Sequence, residues 1–380
     1  MKIIIAPDSF KGTLTAAQVC EIISKAFAEV HPGAEIHTLP LADGGEGMAR
    51  AWAAACGGEL LEAGVTGPYG EPVKAEYLLL PDKTAVLETA SCAGLEQARP
   101  RGLNPELTTT KGLGALLLAA KEAGAARILL GLGGSATNDA GCGMAHALGW
   151  QFYDHNGERF CPTGGTLANI AKIIAPARPF DLPVTAACDV QAPLCGPEGA
   201  AYVYAPQKGA DPAMAERLDA GLRHVAGALR NHPALRAPLL RGELADYPGA
   251  GAAGGLGFGV KAFLGGELRP GIDLLLDCAG FDDLLDGADL VITGEGRMDA
   301  QTLQGKAPCG VLRRAQARGV PAAGVCGCVG RGAQALLAAG FLGIYPAVDG
   351  PKPFEALLRT CREDLYAAAK EAAAKLISEI

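Results

Sequence analysis

Five glycine-rich stretches place carboxylates, cations and hydroxyls side by side. They are Pro7-Asp8-Ser9-Phe10-Lys11-Gly12-Thr13, Ala42-Asp43-Gly44-Gly45-Glu46-Gly47, Gly133-Gly134-Ser135-Ala136-Thr137-Asn138-Asp139, Cys188-Asp189-Val190, and Gly294-Glu295-Gly296-Arg297-Met298-Asp299 running on to Gly305-Lys306. Glycine lets a backbone approach an anion closely, and the free amides of a following helix start bind phosphate oxygens. Ser135, Thr137 and Asn138 add further donors. Carboxylates next to such loops suit Mg²⁺, which binds through one or two of them together with substrate phosphates. Lysine and arginine supply charge opposite a phosphoryl group in transfer. Each residue alone has a plainer use: Asp8, Asp43 and Asp139 as helix caps, Lys11 and Lys306 as solvated charges, Glu295 and Asp299 as loop carboxylates. Five such loops, each following a predicted strand or opening a predicted helix, argue together for a site that handles phosphate.

Familiar short signatures are absent. Gly305-Lys306 is followed by Ala307 and has no glycine five residues before Gly305, so it is not a P-loop. Gly249-Ala250-Gly251-Ala252-Ala253-Gly254 fits the dinucleotide spacing, but Pro248 precedes it where a strand is needed, and it reads as a tight glycine turn. No G-x-S-x-G elbow is present, which argues against an α/β-hydrolase. The twelve cysteines are scattered, and Cys326-Gly327-Cys328 lacks the second pair a zinc site needs. They read as reduced, small core residues.

Composition narrows the class. Of 380 residues, 49% are hydrophobic and 19% charged, which excludes a disordered chain. With 33 basic and 41 acidic side chains the net charge is −8, so nucleic acid and anionic membrane are poor partners. Met1 to Ala6 stops at Pro7-Asp8, too short for a signal peptide, and the expected location is the cytoplasm. Glycine, at 53 residues, is about twice the usual ~7% and has no collagen period.

The elements that hold these loops alternate strand and helix. Ile3–Ala6 is a buried strand; Thr15 and Gln18 form a capping box, and Val19, Ile22, Ile23, Ala26 and Phe27 follow at helical spacing. Glu35–Leu39 is the second strand, and an alanine-rich helix ends at Cys56. Strands at 289–293, 321–325 and 342–348 alternate with helices at 308–318 and 331–339, and a helix with Leu365, Ala369, Ala372 and Leu376 on one face follows Pro353. The fold class is therefore α/β: a parallel-sheet, Rossmann-like domain from 1–65 and 287–380, with a second α/β domain, 66–286, inserted.

At the loops the sequence resembles the bacterial glycerate kinase family. The matching segments are 7–12, 42–47, 133–139, 251–257 and 293–299, with Gln301-Thr302 and Gly305-Lys306 behind them, in order from near residue 1 to about 350. The resemblance implies phosphorylation of D-glycerate at its 2-hydroxyl, dependent on ATP and Mg²⁺, in a cleft between two α/β domains. Two departures stand out. Gln191-Ala192 replaces a frequent x-Asn, and Ala115 stands where Glu is frequent. Within that frame Asp189, Lys11 and Asp8 are the catalytic candidates, with Asp189 the proton acceptor. Arg297, Ser9, Asp43 and Glu46 are assigned to glycerate, Gly133, Gly134, Ser135, Thr137, Asn138 and Lys306 to the nucleotide phosphates, and Glu295 and Asp299 to the metal. A Mg²⁺-dependent phosphohydrolase is the alternative enzyme, disfavoured by the lack of a D-x-D at a strand end. A sugar-acid sensor is the non-enzymatic alternative, disfavoured by the lack of an appended DNA-binding segment. The sequence leaves oligomeric state open, a homo-oligomer included.

Overall fold

The computed structural model describes residues 1–41, 47–230, 232–234, 244–303, 305–350 and 352–376. Asp43 and Glu46 lie outside the described residues. The chain divides into two units, one built from Met1–Asp43, Ala54–Cys56 and Ile272–Ile380, the other from Gly44–Ala53 and Gly57–Gly271. The boundaries fall near 57 and 272 rather than at 65 and 287. One reason is that strand Glu59–Thr66 pairs antiparallel with Pro72–Leu79, which ties it to the second unit.

The first unit is a wholly parallel five-stranded sheet. In chain order its strands are Lys2–Pro7, Glu35–Thr38, Leu290–Gly294, Ala322–Cys326 and Phe341–Pro346, arranged in space as second, first, third, fourth, fifth. The first strand pairs with the third from Ile3 opposite Leu290 to Pro7 opposite Gly294. Ile3, Ile4 and Ile5 are fully buried, as a strand covered by helices on both faces requires. Helix Ala16–Val30 starts at the expected capping box: Gln18 N donates to Thr15 Oγ1 and Thr15 N to Gln18 Oε1. It packs with the C-terminal helix Phe354–Leu376, whose Leu365, Ala369, Ala372 and Leu376 are all buried. The expected helix 331–339 forms only over Gln334–Ala338, because Gly332 takes a left-handed φ of +76°.

The second unit carries a six-stranded sheet. The antiparallel strands Glu59–Thr66, Pro72–Leu79 and Thr84–Glu88 lead into the parallel strands Arg127–Gly131, Val184–Ala187 and Glu267–Arg269. Helix Lys111–Glu122 buries Leu113, Leu116 and Leu117 in the core beneath this sheet. Two non-glycine residues, Ala140 and Ala253, sit at φ +53°, and Gly254 and Gly255 continue the left-handed run. A side chain at Gly254 would lie 2.0 Å from the Thr137 carbonyl oxygen, so the two glycine-rich turns are in direct backbone contact. The cysteines of this structure are all free thiols. Among the described residues no helix is long and apolar enough to cross a membrane.

Candidate active site

In an open parallel sheet, ligands bind outside the carboxyl ends of the strands where the strand order reverses. Here that point lies between Lys2–Pro7 and Leu290–Gly294. Asp8 N donates to Gly294 O (2.8 Å), and Cβ-free Gly294 lets the strand end approach Val325, whose carbonyl oxygen would lie 1.8 Å from an added Cβ. A cavity of about 750 Å³ opens directly beyond it, in the first unit. Asp8, Ser9, Lys11, Glu295, Arg297, Asp299 and Lys306 all line it. The structure thus gathers seven of the sequence-predicted site residues in one place.

Their pairings are specific. Glu295 accepts from Thr302 Oγ1 (2.6 Å) and pairs with Lys306 Nζ (3.0 Å). Asp299 accepts from Gln301 N (2.9 Å) and faces Arg297 Nε at 3.3 Å. Asp8 is buried and accepts from Ser9 N (2.6 Å). Glu295 and Asp299 are largely buried, whereas Arg297 and Lys306 are the exposed members of their pairs. Two carboxylates on one cavity, next to cations suited to phosphate, fit a hydrated Mg²⁺ that takes its other ligands from substrate. Among the described residues no three His, Cys, Asp or Glu side chains cluster as a closed protein metal cage.

The far wall was not foreseen. The C-terminal helix contributes Phe354, Leu357 and Cys361, and Lys352 Nζ donates to Thr360 Oγ1 (2.5 Å) and Asp364 Oδ2 (2.6 Å). That ion pair, with a hydrogen bond donated by Thr360 Oγ1 to Asp364 Oδ2 (2.6 Å), holds the Asp364 carboxyl below its ordinary range. In sequence, Phe354 to Asp364 read only as the first part of the helix that follows Pro353, with no role at a site.

The remaining predicted residues belong to the second unit. Gly133 and Gly134 are exposed, but Ser135, Thr137 and Asn138 are buried. As placed, the three polar side chains face protein, and it is the two glycines that face solvent. Asp139 takes the capping role: it accepts from Gly141 N and Gly143 N at the start of helix Cys142–Ala147, and from Thr110 N and Oγ1. Burial raises its carboxyl pKa despite those donors. Asp189 is exposed, and its Oδ1 accepts from Gly271 N (2.9 Å) where helix Gly271–Cys278 begins. Sequence reasoning missed Lys208, which is fully buried and donates from Nζ to Ser135 Oγ (3.0 Å) and Thr137 O (2.7 Å). Its one signal was the placement of a lysine between Pro206-Gln207 and Gly209.

Comparison with known proteins agrees in extent and kind. The family model described as the glycerate kinase family matches residues 3–377. A glycerate kinase of Bacillus subtilis (strain 168) is 42% identical, over 99% of this chain and 98% of that protein. A glycerate 2-kinase of Escherichia coli (strain K12) is 43% identical over 86% of this chain and 85% of its own. A crystal structure from Salmonella typhimurium LT2, described as a candidate glycerate kinase 2, superposes with a TM-score of 0.85 at 40% identity. It covers all of this chain and 99% of its own.

Proposed function

This chain belongs to the glycerate kinase family of phosphotransferases, and we propose that it moves the γ-phosphoryl group of ATP to the 2-hydroxyl of D-glycerate, giving 2-phosphoglycerate and ADP. The observation that supports this reading best is the cavity at the strand-order reversal, where Lys11, Arg297 and Lys306 meet Asp8, Glu295 and Asp299. Phosphoryl transfer asks for positioning and charge stabilisation more than for covalent chemistry, and this set of side chains supplies both. The 2-hydroxyl is favoured by the similarity to a protein named glycerate 2-kinase.

In this reading Arg297, Lys11 and Ser9 hold the glycerate carboxylate and hydroxyls, and Lys306 leaves Glu295 to follow the nucleotide phosphates. Asp43 and Glu46 are proposed as further glycerate contacts. Gly133 and Gly134 offer backbone amides to phosphate, with Ser135, Thr137 and Asn138 as the body of that loop. Glu295 and Asp299 would hold Mg²⁺, which when bound neutralises phosphate charge. Asp189 takes the hydroxyl proton as the new O–P bond forms, with Asp8 as the second candidate.

A substrate panel tests the reading. Glycerate's carboxylate gives Arg297 and Lys11 an ionic partner that glycerol lacks, so kcat/KM for glycerate should exceed that for glycerol by roughly tenfold or more, the worth of one hydrogen bond between charged groups. Equal values would refute it. Phosphorus NMR of the product decides the hydroxyl separately, and a 3-phosphoglycerate signal would overturn the regiochemistry alone.

A further inference from the structure

Lys208 is a costly residue that the reaction as written does not use. It ends the short turn Pro206–Lys208, closed by Gly209 at φ +94°. An added Cβ at Gly209 would lie 2.3 Å from Leu103 O, so the turn is pressed against the protein and its lysine is directed inward. Desolvation lowers the ammonium pKa from 10.5 to about 7, and the nearby Asp139 charge offsets this only in part. A buried lysine of this kind is expensive to keep unless it holds something in place.

What it holds is the loop that begins at Gly133. The Gly134 carbonyl accepts from Leu95 N (2.9 Å), the Ala136 carbonyl from Thr108 Oγ1 (2.9 Å), and the Thr137 carbonyl from Lys208 Nζ (2.7 Å). Three carbonyls of the loop, those of Gly134, Ala136 and Thr137, are thus turned into the protein. A loop that receives an anion must do this, because an outward carbonyl dipole would repel it. Ser135 Oγ, also held by Lys208, fixes the residue directly after the two exposed glycines. The neighbouring Thr137 hydroxyl and both polar atoms of the Asn138 carboxamide are buried without a hydrogen-bond partner. Such orphans are rare in native interiors and mark sites held for function against stability.

We propose that Lys208 is a positioning residue for phosphoryl transfer, holding the loop from Gly133 to Asn138 so that Gly133 and Gly134 face an anion, the phosphates of the nucleotide. This rests on the kinase reading above. With Lys208 removed, the Thr137 carbonyl loses its donor and is free to rotate outward, and the loop no longer presents one shape.

The test is Lys208→Met in the full-length protein, which keeps the side-chain length and removes the ammonium. Replacing a buried charge by an apolar group of similar volume is often neutral or stabilising, so a structural role and a positioning role predict opposite things. The expected result is a 10- to 100-fold fall in kcat/KM for ATP, carried mainly by KM. KM for glycerate stays within threefold, the melting temperature at pH 7 is unchanged or higher, and calorimetric affinity for Mg-ADP falls in parallel. Ser135→Ala, which removes one acceptor, should raise KM for ATP three- to tenfold, and adding it to Lys208→Met should cost nothing more. Wild-type ATP parameters in Lys208→Met would overturn the proposal, as would a KM rise confined to glycerate. Should Lys208→Met not fold, an unchanged KM for ATP in Ser135→Ala overturns it. Absence of glycerate phosphorylation by the wild-type protein would instead refute the kinase reading, leaving the nucleotide-affinity comparison to judge Lys208.

Discussion

Proton linkage turns the burial of Lys208 into a measurable slope. In the unfolded chain this lysine titrates near 10.5, in the fold near 7. Between those values this lysine binds more protons in the unfolded state than in the folded one, so its contribution to wild-type stability rises with pH across that window. Below pH 7 the penalty for burying the ammonium is fully present and amounts to at most about 5 kcal/mol; at pH 9.5 only about 1 kcal/mol remains. Methionine does not titrate. The stability advantage of Lys208→Met over wild type should therefore shrink by about 3 kcal/mol between pH 6.0 and 9.5. Buried thiols titrate in both proteins and cancel in the difference. Denaturant unfolding followed by tryptophan fluorescence is the right assay, because both tryptophans, Trp52 and Trp150, are buried residues of the second unit, where Lys208 lies. A gap that stays constant within about 1 kcal/mol, or widens with pH, would refute the claim that an ionisable ammonium is held in this interior.

Three further outcomes follow from contacts described above. Glu295→Gln keeps the hydrogen bond from Thr302 but loses a charge on the cavity, so the Mg²⁺ concentration for half-maximal rate should rise; an unchanged titration removes Glu295 from the metal site. Asp189→Asn can still accept from Gly271 N, so stability should hold while kcat falls by roughly 10²–10⁴; a loss under tenfold would shift the proton acceptor to Asp8. Gly294→Ala places a methyl 1.8 Å from a backbone carbonyl between two central strands, and should cost about 3 kcal/mol or more in thermal or denaturant unfolding.

Local rules were readable wherever the partners lie close in sequence. Thr15 and Gln18 cap a helix three residues apart, as their spacing requires. The strand-end loops were readable because a short β-run followed by glycine and a carboxylate leaves little else to form. Facing was not readable. Ser135, Thr137 and Asn138 look like solvent-facing donors in a polar loop, yet all three are buried, and Lys208, 71 to 73 residues away, meets Ser135 Oγ and the Thr137 carbonyl. The hairpin Glu59–Thr66 with Pro72–Leu79 escaped for a related reason: its outer strand is largely exposed and shows no strong apolar alternation. The cavity wall from Phe354 to Asp364 depends on where a C-terminal helix docks, which no local pattern encodes.

The register Ile3 opposite Leu290 carries a consequence for synthesis of the chain. The first strand is made nearly 290 residues before its inner neighbour. At about 5–20 residues per second, that neighbour arrives roughly 15–60 s later. Through that interval Ile3-Ile4-Ile5 has only Glu35–Thr38 to pair with and one open edge, the kind of apolar segment that recruits other chains. The second unit, contiguous from Gly57 to Gly271, can complete its sheet meanwhile. A nascent chain stalled after residue 271 would thus carry one finished sheet and, at Ile3-Ile4-Ile5, one strand still waiting for its inner neighbour.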